Sequence, residues 1–404
     1  MANTNLTIDM IAREALALAH EKATFIGTIN RQFDKSWSSE GPTGDTLRIR
    51  IPSAYTRRQG SRVMDVQDSV QLSTSLVRAT QDGVDLRFNS RELALDMKDF
   101  RRLHLEPAMA VLVSGIEGDV LQGCTKAVWN VAGTAGTAPN DLAAVGAARA
   151  KLNQALAPKD GNRYIQMDSV TMGSLVNGLK GLFQDSAQIK EQYREGLVGR
   201  TAMADFYENE RVYSLTNQTS VAHTSGVLNG PTLVNGLVTV TTATAGLPTV
   251  GAVFTIAGMY AVHPETKTAY ANLQQFTVTA STSASTMTIS PAIYISGPLQ
   301  NVAAASGAKL TSTSNVTSAA LVWVGAATTS YVHNLMYHRD AFTFATAELP
   351  LFKSAEECAV KTWDGLSIRV WQDADIRNDE LLTRIDMLYG YAAIRPQWAS
   401  RITS

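Results

Sequence analysis

Residues 334 to 350 read NLMYHRDAFTFATAELP and include the tripeptide His338-Arg339-Asp340. In protein kinases this tripeptide carries the catalytic base, and an Asn that holds metal follows five residues after the Asp. Ala345 stands at that place, and the sequence also lacks the glycine-rich loop and the strand lysine that a kinase needs upstream. From Ala341 to Thr346, apolar and small residues alternate strictly, which is typical of a half-buried β-strand. We therefore interpret the stretch as a half-buried β-strand and not as a catalytic loop.

The residues beyond this stretch predict an antiparallel meander. Residues 358 to 371 read CAVKTWDGLSIRVW, two alternating strands on either side of an Asp-Gly turn, which is the strongest short hairpin signal. A third alternating strand follows and places Ile385, Met387 and Tyr389 on one face. The C-terminal part of the chain is thus predicted to close the fold with consecutive antiparallel strands.

Composition sets the class of the protein. The chain has 404 residues, of which 45% are hydrophobic and 18% charged, and its net charge is −1. These values predict a folded chain of two or three domains, and they argue against a strongly basic nucleic-acid binder. A protein that surrounds nucleic acid without binding it tightly is compatible with these values. Cys124 and Cys358 are too few for a disulfide framework, which favours a reducing compartment.

No targeting or membrane segment is predicted. Asp9, Arg13 and Glu14 interrupt any apolar run near the N-terminus, so a signal peptide is not expected there. A stretch of 18 consecutive apolar residues, which a membrane-spanning helix would need, does not occur.

The charge pattern breaks sharply inside the chain. Between Leu215 and Ser330 only Glu265, Lys267 and Lys309 are charged, which indicates a separately folding unit inserted into a more ordinary domain. Short alternating strands separated by turn residues predict a small β-barrel or sandwich there. The strands are predicted at 237–241, 253–256, 276–279 and 287–290. A fibre-like β-repeat is the alternative, but the sequence shows no fixed period.

The N-terminal half predicts three elements. Residues 4–21 form an amphipathic helix, and residues 45–77 form a long hairpin with the basic tip TRRQGSR. A two-stranded ribbon is marginally stable alone, so we expect this hairpin to lie on another surface, such as a neighbouring subunit. From Leu105 to Val128 one apolar stripe predicts a long helix, whose three glycines weaken it and make it depend on packing.

Candidate phosphate and zinc motifs are incomplete. Gly173 and Gly178 have the spacing of a phosphate loop, but Leu179 precedes Lys180 and breaks the required ending, which favours a helix interior. His20-Glu21 lacks the second His of a zinc-binding helix.

Two clusters of charged residues are further candidates for binding sites. A cation could bind near a turn at four acidic residues, although a solvated loop explains them better; they are Asp373, Asp375, Asp379 and Glu380. Three arginines at the hairpin tip could contact phosphate, but such arginines more often meet the carboxylates of a partner. These candidates for inter-subunit contact are Arg57, Arg58 and Arg62. We predict no catalytic, cofactor-binding or metal site.

The order of elements, with three local strings, resembles the major capsid (coat) proteins of tailed bacteriophages. The similarity is greatest to the short-tailed-phage branch that carries an inserted domain. The stretch at 334–350 is similar to the segment where the chain returns from the insert. YGYAAIRPQWA at 389–399 is similar to the closing strand and its Arg-Pro turn. GAVFTIAGMYAVHPETKTAYANLQQFTVTAS at 251–281 resembles strands of the inserted domain.

This resemblance implies an α+β fold, the Hong-Kong-97-type phage capsid fold with an inserted β-barrel-like domain. The implied parts are an N-terminal arm (1–35), an extended β-hairpin loop (36–85), a peripheral domain with a spine helix (86–150), the first part of an axial domain (151–221), the inserted β-domain (222–330), and the closing axial and peripheral strands (331–404). Leu335, Tyr337, Phe342 and Phe344 would then pack the body, and His338-Arg339-Asp340 would form a polar corner.

The resemblance also implies a function. The chain would assemble with itself into hexamers and pentamers of an icosahedral shell that encloses double-stranded DNA, with a scaffolding protein and a portal as partners. Its location would be the virion, after assembly in the cytoplasm of the host bacterium, and it would have neither enzyme activity nor a cofactor. Two alternatives stay open: a β-rich phage tail or adhesin protein, and an enzyme with an unrecognised site.

Overall fold

The computed structural model describes residues 8–32, 46–89 (without 59, 62, 63, 65, 69 and 70), 101–179, 200–217, 233–242, 248–283, 286–310 (without 306 and 309), 319–351 and 357–404 (without 376 and 379). The chain divides into two compact units. The first unit comprises residues 1–49, 74–120 and 342–394, and the second comprises 50–73, 121–341 and 395–404.

The helices include both of the predicted long ones. The described α-helices are α1 (Ile8–Lys22), α2 (Phe25–Thr28), α3 (Glu106–Ala127), α4 (Leu142–Gln154) and α5 (Ser169–Leu179). The helix predicted at 4–21 is α1, and residues 4–7 lie outside the described residues. The helix predicted from Leu105 to Val128 is α3, preceded by a π-helical turn at Arg101–Leu105. None of the helices in the described part is long and apolar enough to cross a bilayer.

Helix α3 holds the N-terminal segment through a buried carboxylate. The side chain of Glu117 lies on α3 and is fully buried. Its Oε1 accepts hydrogen bonds from the Phe25 backbone N–H at 2.6 Å and from the Thr24 hydroxyl at 2.7 Å, and its Oε2 accepts from the Thr24 N–H at 3.2 Å. Because the first turn of α2 has unpaired N–H groups, the carboxylate acts as its cap. Thus a single acidic residue on the long helix orders the chain that follows α1.

Twenty strands are described. They are β1 (Thr46–Arg50), β2 (Ser73–Val77), β3 (Thr80–Asn89), β4 (Val131–Ala132), β5 (Arg163–Met167), β6 (Arg200–Thr201), β7 (Ala204–Glu208), β8 (Tyr213–Thr216), β9 (Leu237–Thr241), β10 (Val253–Val262), β11 (Ala269–Ser283), β12 (Thr286–Ile293), β13 (Val302–Ala303), β14 (Leu321–Trp323), β15 (Ser330–His338), β16 (Phe342–Ala347), β17 (Glu357–Trp363), β18 (Leu366–Asp375), β19 (Glu380–Ala393) and β20 (Ala399–Thr403).

The predicted C-terminal meander is present in the first unit. Strands β17, β18 and β19 are antiparallel neighbours, β16 continues the sheet, and β3 pairs with β19 along its whole length. Asp364 and Gly365 join β17 to β18 with φ angles of 46° and 78°, the left-handed pair that a two-residue hairpin turn requires. At the centre, Arg369 and Asp386 form a buried ion pair with contacts of 2.6 and 3.0 Å.

Strand β16 differs from its prediction. The alternation around Phe342 and Phe344 predicted a half-buried strand, but the intervening threonines are buried as well. The Thr343 hydroxyl donates to the Asn30 carbonyl at 3.0 Å, and the Thr346 hydroxyl donates to the Gly365 carbonyl at 3.2 Å. Hydroxyl groups can be buried when they find such partners, so alternation with Thr does not by itself indicate a solvated face.

The second unit contains a mixed seven-stranded sheet. Its order is β4-β20-β15-β5-β7-β6, with β8 paired to β15; β4 is parallel to β20, and β5 to β7. Helices α4 and α5 contribute to one core with this sheet, in which Leu152, Leu175, Ile165, Met336 and Ile402 are buried. The sheet is thus arranged around β15, which pairs with β20, β5 and β8.

A six-stranded sheet lies in the charge-poor region. Its order is β13-β10-β11-β12-β9, with β14 paired to β10, and it includes all four strands predicted there. Its own apolar core contains Phe254, Phe276, Val278, Met287 and Ile289. The predicted limits of an inserted domain, 222 and 330, stay predictions, since residues 218–232 are outside the described part of the chain.

A buried arginine links the two sheets of the second unit. Arg401 on β20 is fully buried and donates to the carbonyls of Gly251 and Lys126 and to the Thr277 hydroxyl, the last two at 3.1 and 3.2 Å. Burial lowers the pKa of Arg401 to about 9, so the guanidinium is charged at neutral pH. Its contacts join the C-terminal strand, the end of α3, the turn before β10 and strand β11.

The substitution Arg401→Met should therefore destabilise the chain strongly. It removes the charged donor of the buried Gly251 carbonyl and of the Thr277 hydroxyl, and hydrogen bonds from charged groups are each worth about 1.5–3 kcal/mol, so we expect a loss of about 3 kcal/mol or more. Chemical denaturation of the full chain measures this loss. The matched control is Arg384→Met, since Arg384 pairs with Asp85 at 2.8 Å on the surface, where such a pair is worth about 0–1 kcal/mol. Equal losses in both variants would contradict the assigned role of Arg401.

His333 makes stability depend on pH. His333 on β15 is opposite Thr403, and Arg401 is opposite Leu335, so the His333 and Arg401 side chains share one face of the sheet. Burial, with a smaller effect of the Arg401 charge, lowers the pKa of His333 to about 3. The folded chain therefore keeps this imidazole neutral at pH values where the unfolded chain protonates it.

We expect stability to fall below pH 6.5 for this reason. The contribution is complete above the ordinary pKa of about 6.5 and decreases by about 1.4 kcal/mol per pH unit below it, or about 2 kcal/mol at pH 5. Unfolding of the wild type and of His333→Asn at pH 7.5 and pH 5 tests this. The difference between the two proteins should shift by about 2 kcal/mol in favour of the variant at pH 5. An unchanged difference would show that His333 already binds a proton in the fold.

Candidate functional site on the hairpin

The predicted hairpin has a packed base. Strands β1 and β2 form a two-stranded sheet. Ile49 and Leu76 are buried and contact Ala345, with Leu47 and Ala392 packed around them. Strands β1 and β2 therefore place one row of side chains in the core of the first unit.

Beyond the base, the two arms of the hairpin are held by isolated contacts. The Ile51 N–H donates to the Leu72 carbonyl at 2.8 Å. Farther out, the Gln67 amide bridges both backbone groups of Thr56: its Oε1 accepts from the Thr56 N–H at 2.8 Å, and its Nε2 donates to the Thr56 carbonyl at 2.7 Å. The Gln67 side chain thus makes the two backbone hydrogen bonds that a residue of an opposite strand would make in a β-ladder. We name residues 51–72 the hairpin extension.

The hairpin extension carries two of the three predicted arginines on its surface. Arg57 and Arg58 are exposed and directly follow Thr56, the residue that Gln67 holds. Arg62 lies outside the described residues. Whether these arginines contact another subunit stays a prediction.

Exposed apolar side chains on the same extension were not predicted. Tyr55 is 59% exposed, Met64 83% and Val66 79%. Large apolar groups clustered on one exposed segment are typical of surfaces that another protein covers. In the sequence they are apolar residues that flank a basic, glycine-containing tip, but the prediction for this tip considered only its arginines.

The other candidate sites have structural roles. Gly173 and Gly178 lie inside α5, and Lys180 is outside the described residues. The Asp375 carboxylate accepts from the Arg377 N–H and from the Asn378 amide, Glu380 pairs with Arg87 at 3.2 Å, and Asp379 is not described. In the described part of the chain, His, Cys, Asp and Glu side chains form no group of three that could hold a metal ion.

His338-Arg339-Asp340 forms the predicted polar corner between β15 and β16. The His338 imidazole is buried and contacts the Asp160 carboxylate at 3.0 Å, while its Nδ1 accepts from the Asp340 N–H at 3.2 Å. The Arg339 N–H donates to the Asn162 carbonyl at 3.0 Å. Burial raises the pKa of Asp160, but hydrogen bonds from Asn162 and His338 outweigh this effect and lower it to about 2. The imidazole and the two backbone N–H groups of this corner therefore have structural partners.

Comparison with known proteins gives a family and a fold. A family model described as P22 coat protein, gene protein 5, matches residues 71–400. No curated protein sequence matches the chain. Among solved structures, one from Mycobacterium phage Che8 is similar at a TM-score of 0.50 and 11% identity, over 94% of this chain and 90% of that chain. A capsid chain of Ralstonia phage GP4 is similar at a TM-score of 0.43 and 9% identity, over 90% and 84%.

The Gln67 bridge yields a local prediction. The substitution Gln67→Ala removes the acceptor of the Thr56 N–H, and one hydrogen bond of about 1 kcal/mol corresponds to roughly fivefold faster amide exchange. Hydrogen exchange measured residue by residue should show this at Thr56. The Ile51 amide, which donates to Leu72, is the internal control and should keep its protection. Equal acceleration at both amides would show that the whole hairpin opens as one unit and that Gln67 does not hold its outer part separately.

Proposed function

This chain belongs to the P22 coat protein family, a family of structural major capsid proteins, and on that premise we propose that it assembles with itself into an icosahedral shell around double-stranded DNA. The proposal includes hexamers and pentamers as building units, and a scaffolding protein and a portal as partners during assembly in the host cytoplasm. The shell is a container, so the chain needs neither a catalytic site nor a cofactor.

The observation that carries the proposal beyond family membership is the hairpin extension. It combines the exposed side chains of Tyr55, Met64 and Val66 with the exposed Arg57 and Arg58. Apolar groups favour burial by roughly 25 cal/mol for each Å² removed from water, and the guanidinium groups can pair with carboxylates at the rim of the same contact. We therefore propose a second copy of the chain as the surface on which this segment lies.

Net charge supports enclosure of DNA without tight binding. The formal charge of −1 gives no large field that attracts phosphate. A shell protein that bound its contents through many lysines and arginines would hold them with an affinity that grows with each neutralised phosphate. A nearly neutral chain avoids such tight binding of the enclosed DNA.

The domain plan remains part of the proposal. The hairpin and α3 would serve as extended loop and spine helix, and the six-stranded sheet with its own core would be the inserted domain at 222–330. The tail or adhesin alternative and the enzyme alternative gain no support from the described residues.

Reversal of charge at the hairpin tip tests the proposal. The double variant Arg57→Glu, Arg58→Glu should reduce shell formation strongly, because each subunit repeats the unfavourable contact, while the melting temperature of the unassembled chain stays nearly unchanged. Sedimentation and negative-stain microscopy, with scaffolding protein supplied, measure assembly. A control double variant reverses Arg13 and Arg377, which are exposed outside the hairpin.

Two outcomes would contradict the proposal. Normal shells from the hairpin variant would exclude its arginines from the contact. A stable monomer from the wild type, across a wide concentration range with scaffold present, would exclude self-assembly itself.

A further inference from the structure

A cavity of about 210 Å³, lined by both polar and apolar side chains, lies in the second unit. Its walls come from the end of α4, from the segment before β4, and from strands β10 and β11 of the six-stranded sheet. Its volume is below the roughly 300–1,000 Å³ of sites for drug-sized molecules, so it suits a small group or one side chain.

The charge of this cavity is one-sided. Lys151 of α4 lines it, and none of the lining residues is acidic. Within the described residues, no carboxylate lies within ion-pair distance of the Lys151 ammonium, whose pKa is lowered by burial alone. Partial burial of a cation without a partner costs free energy, which an anion inside the cavity would recover.

Amide groups next to Lys151 are held in place. The Gln154 Nε2 donates to the Asn272 Oδ1 at 3.3 Å, and the Tyr270 hydroxyl donates to the Gln154 carbonyl at 3.4 Å. On the opposite wall the Asn130 amide donates to the carbonyls of Gln397 and Ala399 at 3.2 and 3.0 Å. Because the Asn272 oxygen is used in this way, its amide N–H groups remain to donate to a ligand.

Two aromatic side chains line the cavity beside these polar groups. Trp129 and Tyr270 line it together with Lys151 and Asn272. The Lys151 ammonium and the Asn272 amide offer hydrogen-bond donors to an anion. A carboxylate has the complementary charge, and it needs only the donors present here.

We propose that this cavity binds a carboxylate, with Lys151 as its ion-pair partner and Asn272 as a hydrogen-bond donor. The carboxylate can belong to a free dicarboxylate or to a glutamate side chain of a peptide segment. The inference does not rest on shell assembly, and its test uses the unassembled full-length chain.

Binding of two carboxylate probes tests the inference. Sodium glutarate represents a free dicarboxylate, and the blocked peptide acetyl-Gly-Glu-Gly-amide represents a side chain. Calorimetric titration and thermal unfolding should show saturable binding of at least one probe, beyond the effect of sodium chloride at equal ionic strength. Whichever probe binds more tightly identifies the source of the carboxylate.

Three variants locate the binding. Lys151→Met keeps the aliphatic stem but removes the charge, and it should raise the Kd of the bound probe by at least about tenfold. Lys159→Met removes the same charge from an exposed lysine that does not line the cavity, and it should leave the Kd unchanged. Asn272→Asp keeps the acceptor for Gln154 and places a carboxylate inside the cavity, so it should raise the melting temperature and abolish binding.

The outcomes that overturn the inference are distinct. Equal binding to the wild type and to Lys151→Met would place the probe elsewhere. Saturable binding of sodium phosphate but of neither carboxylate probe would assign the cavity to a different anion. The Asn272→Asp variant keeps Lys151, so loss of binding there in a stable protein cannot come from a failure to fold.

Discussion

A charged group buried without an opposite charge is the constraint around which the second unit is organised. Arg401 donates to Gly251, Lys126 and Thr277, and none of these acceptors is a carboxylate. A buried guanidinium is costly unless its donors are satisfied, so the turn before β10, the end of α3 and strand β11 must all reach it at once. One side chain therefore connects the C-terminal strand with the end of α3 and with the six-stranded sheet.

Neutral polar side chains also bind backbone groups in the charge-poor region. The Gln275 amide binds both backbone groups of Val131, at 2.9 and 3.1 Å. This contact connects strand β11 of the six-stranded sheet to β4 of the seven-stranded sheet. Asn301 accepts from the Tyr294 N–H and donates to the Ala292 carbonyl. Amides and hydroxyls satisfy buried backbone groups without the desolvation cost of an ion. This explains how a stretch with three charged residues forms an ordered structure.

The α+β phage capsid fold predicted from the sequence is confirmed, and so is the major capsid function that the family carries. The similarity to the Che8 structure persists at 11% identity. Low identity is compatible with one fold because burial pattern, turn geometry and strand register define it, and many sequences satisfy those requirements. Contact surfaces, in contrast to the fold, depend on individual side chains such as Arg57 and Tyr55.

The sequence by itself determined the local elements. Asp364-Gly365 supplied the left-handed turn, the apolar stripe of α3 defined its buried face, and alternation located the strands, because each of these signals lies within a few residues. Tertiary structure alone decided the partners. The pairing of β3 with β19, the burial of both faces of β16 and the environment of Arg401 join residues far apart in the chain. Periodicity shows which side of an element is apolar, but it contains no information on what will cover that side or bind its polar groups.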